Sequence, residues 1–153
     1  MVFGRLLLIL AGALLGLEEV SSKPSLLVVI GSYSHAHYAS LNEQFSSYSS
    51  ICEAGWRVRI VLLTTAPWYP KTVEHVQRDS LFCYRIGGPV ELQIRRYNRA
   101  VGWYLAQHSR EPIEEYLNEF DVFMYTEDDM MMTLSLLEAW FTETKKLKQL
   151  VGN

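Results

Sequence analysis

The chain has 153 residues, 49% of them apolar and 20% charged, which suits one globular domain with a real core and excludes a disordered chain. The formal charge of −3 argues against nucleic-acid binding, which uses a basic surface. Four Trp and nine Tyr read first as aromatic core, with a sugar or base pocket as their other use.

Residues 1–22 read as a signal peptide or a short signal anchor. Arg5 supplies the positive start, and Leu6 to Leu17 is an apolar run closed by Glu18 and Glu19. That run is shorter than the ~20 residues a membrane span needs. The competing reading is a buried first helix, which two glycines in the run weaken. Residues 23–153 are then the folded domain.

Ser25 to Ile30 (SLLVVI) is a continuous apolar run, the mark of a buried parallel strand. Gly31 to Ser34 reads as a small polar turn. A helix is predicted over Ala36 to Ala54. Tyr38, Leu41, Phe45, Tyr48 and Cys52 fall on one of its faces, and Gly55 stops it. Arg57 to Leu63 (RVRIVLL) is the second strand, so the chain opens with a βαβ unit and a parallel sheet. Thr64 to Pro70 is a loop. Leu81 to Ile86 reads as a short third strand before Gly87, Gly88 and Pro89. Glu91 to His108 reads as a helix, with Gln93, Tyr97, Val101, Tyr104 and His108 on one side, and Pro112 to Asn118 as another. The last helix runs from about Leu136 to Val151. Ser135 and Glu138 are its expected capping box, and Leu137, Trp140, Phe141, Thr144, Leu147 and Val151 its expected buried stripe. Cys52 and Cys83 pair if the chain is secreted; a buried free Cys52 thiol is the other reading.

The sharpest contrast lies at Phe120 to Met130 (FDVFMYTEDDM), an apolar strand tipped by Glu127, Asp128 and Asp129. Adjacent carboxylates repel unless a cation or solvent relieves them, and they suit hard cations such as Mg²⁺, Mn²⁺ or Ca²⁺. An extended backbone would put Glu127 and Asp129 on one side and Asp128 on the other. A solvated acidic turn opening the last helix is the simpler alternative. Arg95, Arg96 and Arg99 form a basic group whose simpler use is a solvated face. His35 and His37 follow the first strand and read as incidental, with metal or phosphate contact as the alternative. No G-x-S-x-G elbow and no P-loop occurs in the chain.

The segment YTEDDM after its apolar strand resembles the acidic D-x-D-type motif of GT-A-fold glycosyltransferases, in its E-D-D form. The opening βαβ unit, loop-rich middle and helix before the motif strand are similar too, so the resemblance spans about Ser25 to Val151. It implies an α/β fold, a Rossmann-like, mostly parallel sheet with flanking helices. It implies a metal-dependent transfer of a sugar from a nucleotide-sugar donor to a glycan, protein or lipid acceptor. The implied cofactor is Mn²⁺, with Mg²⁺ as the alternative. The implied location is the Golgi or ER lumen, membrane-anchored, or outside the cell if the leader is cleaved. By the same resemblance Asp129 binds the metal directly. Glu127 acts through metal-bound water or the ribose, Asp128 touches the donor sugar, and Gly31, Ser32 and Tyr33 lie near the base and ribose. GT-A domains continue well beyond this motif, whereas here one helix follows it. The chain therefore reads as the nucleotide-binding half, C-terminally truncated. No catalytic residue is assigned, and no Asp or Glu base for an inverting reaction is seen. A non-catalytic lumenal or secreted α/β module, or an inactive remnant, is the alternative.

Overall fold

The computed structural model describes residues 24–33 and 37–151, without the side chains of Trp103 and Val151. The leader at 1–22 and His35 lie outside the described residues, as does the expected helix start at Ala36. Strand β1 (Ser25–Ser32) is buried along its whole length. Helix α1 (Tyr38–Glu53) returns the chain to β2 (Arg57–Thr64), which pairs parallel with β1. Helix α2 (Pro70–Asp79) follows, then β3 (Phe82–Cys83), a 3₁₀ turn at Tyr84–Ile86 and β4 (Gly88–Pro89). Strand β5 (Glu91–Arg96) leads into 3₁₀ turns over Arg99–Ser109 and helix α3 (Arg110–Glu115). Strand β6 (Val122–Glu127) and helix α4 (Leu134–Val151) complete the order.

The main sheet is four-stranded and parallel, in the order β5-β2-β1-β6, as expected for a Rossmann-like α/β domain. Alternating residues of the central strands feed two cores. Leu26, Val28, Ile30, Ile60 and Leu62 meet the α1 face of Leu41, Phe45, Tyr48 and Ile51. Leu27, Val29, Val61 and Leu63 meet Leu105 and Phe120 on the other side. Burial on both faces is why β1 and β2 read as continuous apolar runs.

Several expectations need correction. Residues 91–96 are a strand, not the start of a long helix. Leu92 and Ile94 alternate onto the core, and pairing with β2 outweighs a weak helical period. Residues 99–109 are 3₁₀ turns that kink at Gly102, whose φ of 48° favours glycine. Asn98 caps their start, its Oδ1 accepting from the Ala100 N–H at 2.9 Å. The short third strand shrinks to Phe82–Cys83, because Tyr84–Ile86 turns back to form a hairpin. Helix α2 has no counterpart among the predicted elements; Pro70 sits in its first turn, where its missing N–H is harmless. Helix α4 starts at Leu134, so Ser135 lies inside it and Thr133 takes the capping place, its Oγ1 accepting from the Leu136 N–H at 3.3 Å. The expected α4 stripe is only partly buried. Leu137 is buried and Phe141 packs edge-on to Trp56 at 5.5 Å, but Trp140 is 51% and Leu147 59% exposed. Val151's side chain lies outside the described residues.

The cysteine question is settled in favour of pairing. Cys52, at the end of α1, is disulfide-bonded to Cys83 of β3. The bond fits an oxidising compartment. Among the described residues no helix is long and apolar enough to cross a membrane.

Candidate functional site

From β1 the chain runs outward through β2 to β5, then returns to place β6 on the other side of β1. The loops leaving β1 and β6 lie side by side at the C-terminal edge of the sheet, the edge at which open α/β sheets bind ligands, and both lead to helices on the same face, α1 and α4. A cavity of about 630 Å³ lies there, lined by Tyr33, His37, Thr65, Arg99, Gly102, Glu127, Asp128 and Asp129.

The acidic turn is fixed from three sides. β6 ends at Glu127, and the Met130 N–H donates to the Glu127 carbonyl at 3.1 Å, so the backbone bends instead of continuing extended. The Asp128 N–H donates to the Gly31 carbonyl at 3.2 Å, tying the turn to β1. Gln44 of α1 donates its Nε2 to the Glu127 carbonyl at 2.7 Å. The bend corrects the expectation that Asp128 faces away, for all three acids line one cavity.

The three carboxylates differ in their surroundings. Asp128 is 5% exposed, and its Oδ1 lies 2.9 Å from His37 Nδ1. Asp129 is exposed and Glu127 half-buried, and neither carboxylate has a hydrogen-bond or ion-pair partner among the described residues. The described lining carries three carboxylates and one guanidinium, that of Arg99, which makes it electronegative. Two phenols register this field. Burial first, then the charges of Glu127 and Asp128, raise the Tyr33 hydroxyl above its usual range. Burial first, then Glu127, Tyr33 and Asp128, push Tyr125 up to about 12.

Gly31 and Ser32 are the last residues of β1 rather than a turn, and Tyr33 follows at the cavity wall. Thr65, just past β2, donates its hydroxyl to the Tyr33 carbonyl at 2.8 Å and holds that wall. Gly31 has a packing role: a Cβ there would stand 2.8 Å from the Tyr125 hydroxyl. Of the three arginines only Arg99 lines the cavity; Arg95 pairs with Glu115 at 2.5 Å on the strand face.

Sequence reasoning singles out the acids and Tyr33. It undervalues His37 and Arg99 and misses Thr65. The signal for Thr65 is its place one residue after a buried strand, where ligand loops begin.

Glu127 and Asp129 are the carboxylates of the lining that a divalent cation would use, having no partner among the described residues. Among the described residues no three His, Cys, Asp or Glu side chains converge on one point. The remaining positions of such an ion would fall to water and ligand oxygens, as is usual for Mg²⁺-type sites. Comparison with known protein families, with curated proteins and with solved structures gives no match for this chain.

Proposed function

We propose that the cavity binds the diphosphate of a nucleotide sugar together with a divalent cation, and that the protein transfers the sugar to a hydroxyl acceptor. The observation that carries this reading is the pair of carboxylates, Glu127 and Asp129, that line the cavity at the C-terminal ends of β1 and β6 without a partner among the described residues. An electronegative cavity repels a bare diphosphate; a cation held by those two acids reverses the local charge. When bound, Mn²⁺ or Mg²⁺ supplies charge stabilisation for a departing nucleoside diphosphate. Glu127 and Asp129 would hold it. Arg99 offers the diphosphate a guanidinium, the group best suited to phosphate oxygens. Tyr33 and Thr65 form the wall available to ribose and base, and the cavity volume lies in the range of small-molecule sites. Asp128 offers a donor sugar little surface, because burial and His37 occupy it.

Titration calorimetry tests the reading. With Mn²⁺ present the protein should bind UDP or GDP, and Asp129→Ala should weaken that binding at least about tenfold, the loss of one charge-assisted contact. Equal heats with and without nucleotide refute the donor site. Cation binding with no nucleotide dependence points instead to a non-catalytic module.

A further inference from the structure

The Asp128–His37 contact joins the turn after β6 to the first residue before α1, across 91 residues of sequence. Its two members differ sharply. The carboxylate is buried and the imidazole is 52% exposed, lining the cavity beside Glu127, Asp129 and Arg99. A buried carboxylate 2.9 Å from Nδ1 favours the tautomer that carries its proton there. In that tautomer Nε2 keeps its lone pair. Among the described residues Nε2 has no hydrogen-bond partner. A histidine that accepts a proton needs such an orienting acid on one ring nitrogen and an accessible ring at the site, and His37 has both.

We propose that His37 is the general base of this site and Asp128 its positioning residue, an inference that rests on the nucleotide-sugar reading above. The attacking hydroxyl oxygen forms a bond to the anomeric carbon as the bond from that carbon to the phosphate oxygen breaks. The bonding pair leaves with the nucleoside diphosphate, and the hydroxyl proton passes to His37 Nε2. Attack from the side opposite the leaving group inverts the anomeric centre.

A purely structural role, a latch between α1 and the β6 turn, makes different predictions. His37→Asn keeps a side-chain N–H where Nδ1 stood, so it preserves the latch and deletes the base. Asp128→Asn keeps the shape and removes the charge that selects the tautomer.

The first test needs no turnover. In ¹⁵N-imidazole NMR of the full chain, His37 should show the Nδ1-protonated tautomer, and Asp128→Asn should abolish that preference. An Nε2-protonated His37 in the wild type overturns the proposal. The second test follows release of free sugar from UDP-glucose, UDP-galactose, UDP-N-acetylglucosamine and GDP-mannose with Mn²⁺, water being the acceptor. His37→Asn should bind nucleoside diphosphate as the wild type does and lose turnover by about 100-fold or more, the usual share of a general base. Turnover retained within about threefold overturns the role of His37 but leaves the donor site standing. Nucleotide bound by the wild type without turnover of any donor also overturns it. Failure of the wild type to bind nucleotide removes the donor reading and this inference together.

Discussion

Replacing Gly31 by alanine should destabilise the protein through one atom, the Tyr125 hydroxyl. The new Cβ would lie 2.8 Å from that oxygen, well inside normal contact, whereas the next nearest atoms of the ring stand at 3.6 Å, an ordinary distance. The ring packs against the core formed by Leu27, Val29, Val61 and Leu63, which opposes its retreat from β1. Overpacking of this kind costs about 1–3 kcal/mol. The hydroxyl itself is buried and has no hydrogen-bond partner among the described residues. Tyr125→Phe should therefore be neutral, or stabilising by up to about 1 kcal/mol. In that background the 2.8 Å contact is gone. Gly31→Ala should then be neutral or slightly stabilising, since alanine suits a strand interior better than glycine by about 0.5–1 kcal/mol. The cycle predicts a coupling of about 2 kcal/mol between the two positions. Urea unfolding of the four proteins, followed by tryptophan fluorescence, measures it from the midpoints at constant slope. If Gly31→Ala costs as much in the Tyr125→Phe background as in the wild type, the close approach of β1 and β6 is not what requires glycine here.

Reduction of the Cys52–Cys83 bond releases a constraint across 31 residues, worth about 3–4 kcal/mol by loop entropy. Thermal unfolding with and without dithiothreitol should differ by roughly 10–20 °C, and a shift below about 3 °C would show that the α1–β3 contact holds without the bond. Asp121 accepts hydrogen bonds from the Ser25 N–H at 2.8 Å and the Ser25 hydroxyl at 2.7 Å, and these hold its carboxyl below the usual carboxylate range. A depressed folded value gives stability that is present above the unfolded pKa of about 3.9 and lost as the pH falls through the folded one. Asp121→Asn should therefore be less stable at pH 7 by about 1 kcal/mol, a small figure because the carboxylate is exposed. The gap should close in urea titrations below about pH 4, and a gap that persists there would rule out the charge as its source.

The parts of this fold that are legible in the sequence are those whose burial is two-sided or strongly periodic. β1, β2 and β6 stand out as apolar runs, and the α1 face stands out at helical spacing. β5 is hidden because Gln93, Arg95 and Arg96 give an edge strand a polar composition that also fits a helix; only the partner strand β2 decides between them. The α4 stripe fails for a related reason. Leu134, Leu137 and Phe141 face the core while Leu136, Trp140, Leu147 and Leu150 line another, exposed face, and spacing alone cannot say which apolar face is covered. The acids are legible as a local cluster. Their unequal environments are not, because His37 reaches Asp128 only once the sheet has assembled.

The placement of β6 also sets an order of assembly. β1 can find β2 after one helix, and β2 can find β5 after a modest excursion, so those pairings close short loops. Ser25 and Asp121 meet across 96 residues, and that closure loses the most chain entropy. β6 is thus the strand expected to dock last, onto a sheet edge already supported by α1. A chain with only β1, β2 and β5 paired would have most of the sheet but neither the acidic turn nor its contact with His37. The candidate cavity is complete only when β6 is paired, so any ligand bound there would stabilise that pairing.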